Sequence, residues 1–102
     1  MEQLKPLSDF FTAIENDYRI GPMHIAIYAA LLQFRTVKGF INPIFVFSSE
    51  IIVIAKVSSA NTYHKCLKEL SEYGYVKYVP SFKKTQGSKI YFYPHILLKE
   101  SK

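Results

Sequence analysis

Hydrophobic and polar positions alternate with a helical period between residues 59 and 73, and a short β-rich segment follows. Ser59 is a favourable N-cap for such a helix, and Gly74 suits the left-handed position that ends one. The apolar residues that recur at i, i+3, i+4 and i+7 are Tyr63, Cys66, Leu67 and Leu70. The pattern therefore predicts a helix with one face for packing and a second face that can contact a polar partner.

Two helices are predicted in the first third of the chain. Ser8-Asp9 is a suitable N-cap for the first helix. Gly21-Pro22 interrupts the pattern, and proline suits the first position of a second helix, expected from about Pro22 to Arg35. The residues predicted to face the core are Phe10, Ile14 and Tyr18 in the first helix, and Ile25, Tyr28, Ala29 and Leu32 in the second.

The remainder of the chain predicts a helix-turn-helix and a small sheet. Residues 44–47 are β-branched or aromatic and predict a strand. Ser48-Ser49-Glu50 then opens a helix with a carboxylate in its first turn, and residues 56–58 form a tight turn before Ser59. Two further strands are expected at 75–79 and 89–93, joined by a polar connection. The inward residues of the helix after Ser48 are predicted to be Ile51, Ile54 and Ala55.

This order of elements predicts an α+β fold that is mainly helical. A helix-turn-helix at about 48–74 precedes a two-stranded hairpin, the wing, at about 75–93, which is the arrangement of a winged helix-turn-helix with an extra N-terminal helix. The strand at 44–47 would complete a small three-stranded antiparallel sheet. No repeat, low-complexity tract or linker interrupts the chain, so one domain over residues 1–102 is expected.

Composition supports a folded protein of the cytoplasm. Hydrophobic residues make up 49% of the chain, which is enough for a core and argues against disorder. The single cysteine cannot form an internal disulfide, which fits a reducing compartment. The first residues lack the apolar stretch of a signal peptide, and no apolar run approaches the ~20 residues that span a bilayer. We therefore expect a cytoplasmic protein without a membrane partner.

The basic charge is concentrated in the second half of the chain. The net charge is +5; residues 1–51 carry four basic and five acidic side chains, whereas residues 52–102 carry nine lysines and three glutamates. Such an asymmetry favours a polyanionic partner for the second half, although solvated surface lysines would produce the same count.

The segment 59–76 resembles a signature of bacterial winged helix-turn-helix regulators, S-x-x-T-apolar-x-[KR]-x-L-x-x-L-x-x-x-G-apolar-apolar. The chain from Phe10 to Pro94 is also similar to small stand-alone regulators of this kind, which often occur near mobile elements. The resemblance implies that Ser59 and Thr62 hold DNA phosphates. It also implies that Asn61, His64 and Lys65 face base edges. Two features depart from the family pattern: the turn at 56–58 has no glycine, and no arginine follows Arg35.

The candidate DNA-binding residues lie on the helix at 59–73 and on the wing. Asn61 can pair with adenine N6 and N7, and Lys65 can reach guanine acceptors or phosphates. Lys68 is better placed for phosphates, because the first turns of such a helix lie deepest in the major groove. Solvent exposure alone explains each of these side chains equally simply, and capping alone explains Ser59. The full set is Ser59, Ala60, Asn61, Thr62, His64, Lys65 and Lys68 on the helix, and Lys83, Lys84 and Lys89 on the wing.

Other chemistry is not expected. Cys66 lies on the apolar stripe and is predicted to be a core residue. The spacing of His64, Cys66 and His95 does not suit zinc, because residues two apart on a helix point in different directions. We find no nucleophile–base pair, carboxylate cluster or glycine-rich phosphate loop. The sequence therefore predicts no enzyme, no cofactor and no small-molecule effector.

The sequence is compatible with three functions. The first is a sequence-specific transcriptional regulator of double-stranded DNA. It would act as a homodimer through Phe10, Phe11 and Ile14, or through Ile96–Leu98 near the other end. The second is a winged helix used as a protein–protein interaction module. The third is an accessory DNA-binding factor for replication or excision of a mobile element, which would differ only in its target site.

Overall fold

The structure is a computed structural model that describes residues 5–81, 83 and 85–93. In these residues the chain forms four helices and three strands. In chain order they are α1 (Lys5–Ala13), α2 (Pro22–Val37), β1 (Ile44–Val46), α3 (Ser48–Ala55), α4 (Ala60–Glu72), β2 (Val76–Val79) and β3 (Ser88–Phe92). The strands form one antiparallel sheet in the order β1-β3-β2. The predicted α+β class and its small three-stranded antiparallel sheet are therefore confirmed.

The sheet has one buried face and one solvent face. Ile44 pairs with Ile90 across β1 and β3, and Val76 pairs with Phe92 across β2 and β3. These four side chains are buried, whereas the residues that alternate with them lie on the outer face. The outer residues are Phe45, Lys77, Lys89 and Tyr91. Because the helices cover only the inner face, the sheet presents a mixed aromatic and basic surface to solvent.

A side chain from the loop before β1 extends the pairing beyond the short strand. The Asn42 amide nitrogen donates to the carbonyl of Phe92 at 2.7 Å, and its carbonyl oxygen accepts from the Phe92 amide at 2.9 Å. Asn42 thus satisfies both backbone groups at the end of β3, as a neighbouring strand would. This contact links residues 50 positions apart, and nothing in the local pattern predicted it.

Helix α2 occupies the centre of the helical layer and contacts α1, α3 and α4. It extends two residues past the predicted end at Arg35. Tyr28 is buried as predicted, but Ile25, Ala29 and Leu32 are only half-buried. The apolar residues of α2 that are most buried are Ile27, Tyr28, Ala30, Leu31 and Phe34. The predicted stripe was only partly right, since Ile25 and Leu32 still pack against the core. A helix that is apolar on most sides has a weak periodicity, so its neighbours decide which residues are most buried.

Helix α1 differs from its prediction at both ends. Ser8 and Asp9 lie inside the helix rather than at its cap, and the Asp9 carboxylate accepts instead from Lys5 at 3.3 Å. The helix ends at Ala13, so Tyr18 falls outside it and is 90% exposed. Phe10 is fully buried and stacks on Tyr28 with 3.9 Å between ring centroids. Phe10 therefore belongs to the core and does not form part of a dimer surface.

The segment that contains α3 and α4 forms the two predicted helices, with differences in detail. Phe47 caps α3, and its amide donates to Glu50 at 2.9 Å, which explains why β1 stops at Val46. Ile51 is buried as predicted, but Ile54 is 38% exposed and Ile52 packs against the core in its place. Lys56 takes the left-handed conformation, with φ 63°, at the turn where a glycine was lacking.

Helix α4 ends in a Schellman arrangement. Gly74 has φ 92°, the Gly74 amide donates to Ser71 O at 3.2 Å, and the Tyr75 amide donates to Leu70 O at 2.9 Å. Tyr75 is therefore part of the helix end, and β2 starts one residue later than predicted. None of the helices in the described ranges combines the length and apolarity needed to span a lipid bilayer.

Candidate nucleic-acid interface

The start of α4 is capped by Ser59. Its hydroxyl oxygen accepts from the amides of Asn61 at 3.1 Å and Thr62 at 3.3 Å, which confirms the predicted N-cap. The Tyr63 amide donates to Ser59 O at 3.1 Å. Because these three amides already have partners, they are not free to donate to the phosphates that the resemblance implies at Ser59 and Thr62.

The two faces of α4 divide as predicted. Tyr63, Cys66, Leu67 and Leu70 are buried, whereas Asn61, Lys65 and Lys68 are exposed. A shallow groove runs along the polar face, with Glu69 and Glu72 at its far end. Basic and amide side chains thus occupy the first turns and carboxylates the last. An anionic partner would be attracted to the start of the helix and repelled from its end.

The hydrogen bond of His64 fixes what its ring can offer. Nδ1 lies 2.9 Å from the carbonyl oxygen of Ala60, which can only accept, so Nδ1 carries the proton. In a neutral imidazole Nε2 is then an acceptor. Such a group fits an amino group on a base edge, such as adenine N6 or cytosine N4, and does not fit a phosphate. The resemblance implied that His64 faces base edges, without saying which group its ring would offer.

The candidate lysines of the wing do not share one surface. Lys83 is exposed and its carbonyl accepts from the Gln86 amide at 3.2 Å, which turns the chain. Lys89 pairs with Phe45 and Val79 in the sheet and lies on the outer face, away from the helices. Lys77 accompanies it there, with its ammonium 5.6 Å from the Tyr91 ring, and sequence reasoning did not select this residue. Lys84 lies outside the described residues.

A cleft of about 190 Å³ lies where α4 meets the wing. Tyr63 and His64 line it from α4, while Tyr78, Lys83 and Gln86 line it from β2 and the wing, and Ser48 lies at the start of α3. The tertiary fold therefore brings Lys83, but not Lys89, next to the start of α4. The residues that form this cleft extend from Val46 to Ser88, 42 positions apart, so their proximity could not be read from the sequence.

The described arginines are both engaged within the protein. Arg19 donates to both carboxylate oxygens of Asp17 at 2.7 Å and lies 4.0 Å above the Tyr73 ring. Its guanidinium holds the pKa of Asp17 well below its usual range. Arg35 donates to Ile41 O at 2.9 Å. Bidentate recognition of guanine by arginine, the commonest specific contact, is therefore not provided by these two side chains.

His24, Cys66 and Glu69 form a cluster that the sequence did not predict. Their side-chain donor atoms all lie within 4.8 Å of one another, a spacing that three metal ligands would share. The Gly21 amide donates to Nδ1 of His24 at 3.0 Å, so Nε2 carries the proton and donates to Glu69 at 2.8 Å.

The hydrogen bonds of this cluster do not suit a metal. A metal ion on Nε2 would move the proton to Nδ1, where it would face the Gly21 N–H. Burial also raises the pKa of the Cys66 thiol, whereas a metal ligand must be a thiolate. The cluster is therefore a structural link between α2 and α4, and Cys66 is a core residue, as predicted.

Comparisons of the chain with protein-family models, curated proteins and solved structures found no match. The function must therefore be inferred from the residues and their arrangement.

Proposed function

We propose that the protein is a winged helix-turn-helix that binds double-stranded DNA, with the start of α4 in the major groove. The observation that carries this proposal is the polar face of α4: Asn61, Lys65 and Lys68 are exposed along its first three turns, and Glu69 and Glu72 follow in its last turn. The order of elements supports it, because α3, a short turn and α4 precede a hairpin. A major groove admits one helix, and its N-terminal residues reach the base edges.

Each exposed side chain has a role in this proposal. Asn61 pairs with an adenine, and His64 accepts from a base amino group through Nε2. Lys65 binds guanine acceptors or a phosphate, and Lys68 binds a phosphate. Lys83 adds a backbone contact from the wing. Sequence is thus read by an amide, an imidazole and one lysine, and the remaining affinity comes from salt-dependent phosphate contacts.

The lysines of α4 provide the first test. Wild type and Lys65→Gln/Lys68→Gln are titrated with a mixed-sequence duplex of about 30 base pairs across a salt series. Each lysine that neutralises a phosphate contributes about 0.9 to the log–log salt slope, so the double variant should lose up to about 1.8. The control, Lys5→Gln/Lys38→Gln, removes the same charge from α1 and the end of α2 and should keep the slope.

Two results would count against DNA binding: no association of the wild type even at low salt, or equal loss in both double variants. Equal loss would mean that net charge alone drives the association. Once a preferred site has been selected, Asn61→Ala should lower the preference for adenine at one position and leave other positions unchanged.

We propose further that the protein regulates transcription and binds DNA as a homodimer. Two copies would place two α4 helices on half-sites about 34 Å apart. Phe11, which is 47% exposed on α1, remains as a dimer contact after Phe10 is assigned to the core. The other predicted contact, Ile96–Leu98, lies outside the described residues. An accessory factor for a mobile element would use the same contacts at a different site.

Exposed apolar side chains favour a protein partner as a second candidate. Val37 is 71% exposed at the end of α2, Phe40 is 48% exposed in the loop that follows, and Val53 is 69% exposed on α3. A module that binds protein through these side chains would tolerate Lys65→Glu/Lys68→Glu without loss of its partner. Loss of binding in that variant would point back to the polar face of α4.

A further inference from the structure

The cleft between α4 and the wing contains a hydroxyl group that the fold does not use. Tyr63 is only 2% exposed, and its ring belongs to the hydrophobic core. Its hydroxyl has no hydrogen-bond partner among the described residues. A phenylalanine would fill the same space, and buried tyrosine hydroxyls normally have a partner. The hydroxyl of Tyr63 is therefore free to bind something outside the fold.

This hydroxyl is open to the cleft. Among the described residues, no buried side-chain nitrogen or oxygen that is sealed from solvent lacks a partner. The Tyr63 oxygen must therefore reach solvent, and Tyr63 lines the cleft together with Tyr78, Lys83 and Gln86. A ligand in the cleft would supply the partner that the protein does not.

Most polar side chains of the cleft can donate to an acceptor; His64, whose Nε2 accepts in the neutral ring, is the exception. Burial raises the pKa of Tyr63 above its usual range, so the phenol keeps its proton and can donate. The Lys83 ammonium is a donor only, and the Gln86 amide adds donors from the wing. One carboxylate, Glu50, lies near Tyr63, but it already accepts from the Phe47 amide at 2.9 Å and does not line the cleft.

We propose that the cleft binds one phosphate group through the Tyr63 hydroxyl, the Lys83 ammonium and the Gln86 amide. If the phosphate belongs to a DNA backbone, this inference rests on the proposed function. The cleft lies between α4 and the wing, which are the two elements that the proposed function assigns to DNA contact. Free inorganic phosphate offers the same chemistry, and the two sources are separated experimentally.

The decisive variant is Tyr63→Phe, which removes one oxygen atom and no internal hydrogen bond. Its melting temperature should equal that of the wild type. Binding to the 30-base-pair duplex should weaken about tenfold, the usual effect of a lost hydrogen bond to a charged acceptor. The salt slope should not change, because the phenol carries no charge, whereas Lys83→Gln should lower it by about 0.9.

Two further variants complete the design. Tyr28→Phe is the matched control, since Tyr28 is equally buried at 3% exposure but does not line the cleft, and its duplex binding should be unchanged. Gln86→Ala, at an exposed position, reports on the same site independently if Tyr63→Phe folds poorly. In parallel, inorganic phosphate is titrated into the ¹⁵N-labelled wild type and the ¹⁵N-labelled Tyr63→Phe variant. The NMR chemical shifts of the backbone amides at positions 63, 86 and 88 are measured during each titration.

The outcomes separate this inference from the proposed function. If the wild type binds the duplex and Tyr63→Phe and Gln86→Ala bind it equally well, the cleft does not hold a phosphate, while DNA binding stands. If the wild type does not bind the duplex, DNA binding fails. Phosphate-induced shifts at the cleft amides that Tyr63→Phe abolishes would then still support a site for free phosphate. The absence of such shifts, together with the absence of duplex binding, would overturn the proposed phosphate site.

Discussion

At Gly87 the chain passes so close to β1 that a side chain does not fit. Gly87 is buried, and a Cβ atom there would lie 2.7 Å from the carbonyl oxygen of Val46 and 2.8 Å from its carbonyl carbon and amide nitrogen. Backbone atoms cannot move aside as the end of a flexible side chain can. This position therefore sets how closely the wing approaches β1, and with it the width of the cleft beside Tyr63.

Gly87→Ala should therefore destabilise the protein by about 1–3 kcal/mol, the usual cost of overpacking a filled site. Chemical denaturation followed by circular dichroism measures the change. Gly21→Ala is the control, because its Cβ would meet only His24 Nδ1, at 4.0 Å, and its loss should be smaller. Equal stability of Gly87→Ala and wild type would show that the wing can shift away from β1.

At the scale of elements, a polar network joins the loop after α1 to the end of α4. Asp17 accepts from Arg19 through both carboxylate oxygens and from the Tyr75 hydroxyl at 2.5 Å. Tyr73 lies beneath the Arg19 guanidinium. The pKa of Asp17 is lowered mainly by its hydrogen bond to Arg19, and that of Tyr75 is raised mainly by burial. The network fixes the C-terminal end of α4, as Ser59 fixes its start.

The lowered pKa of Asp17 makes this network sensitive to acid. A carboxyl group with a lower pKa in the folded state contributes stability that is complete above its unfolded pKa of about 4 and is lost progressively below it. Asp17→Asn should lower the free energy of unfolding by about 1–2 kcal/mol at pH 7, since solvent partly screens the half-exposed Arg19. The gap to the wild type should narrow as the pH falls below about 4.

Melting temperatures of both proteins between pH 7 and pH 2.5 measure this effect. Asp9→Asn is the matched control, because the Lys5–Asp9 pair is exposed and should change stability by less than about 0.5 kcal/mol. Parallel curves for Asp17→Asn and wild type over the whole range would mean that the ionised Asp17 does not stabilise the fold.

At the scale of the whole molecule, charge is distributed unevenly between the two halves of the chain. The nine lysines of residues 52–102 include those of α4 and the wing, whereas residues 1–51 are nearly balanced. Lys77 and Lys89 add basic charge on the outer sheet face, which does not face the α4 groove. These described lysines thus lie on two surfaces, and of the two the one at α4 combines lysines with an amide and an imidazole.

The homodimer proposal is tested on the whole molecule. Light scattering after size exclusion should give two chains per duplex on a selected site with two half-sites, and one chain on a duplex with a single half-site. Phe11→Asp should lower the two-chain species without lowering affinity for the single half-site. One chain per duplex on both DNAs would rule out cooperative dimer binding.

The local pattern of the sequence was sufficient to predict the helices and strands of residues 44–92. Three features of α4 involve only residues within about four helical turns: the cap at Ser59, the stop at Gly74 and the apolar stripe. Each can therefore be recognised from neighbouring residues. The buried Cys66 and the exposed Asn61, Lys65 and Lys68 followed from the same helical period.

The tertiary structure alone decided the buried face of α2 and the contacts between distant elements, because these contacts join residues that are far apart in sequence. The buried face of α2 depends on three neighbouring helices, which its own nearly uniform apolar sequence does not specify. Asn42 pairs with Phe92, His24 bonds Glu69, and Tyr63 shares a cleft with Lys83 only because the chain has folded. The sequence determined which residues of α4 face outward, and the tertiary structure determined which residues lie opposite them.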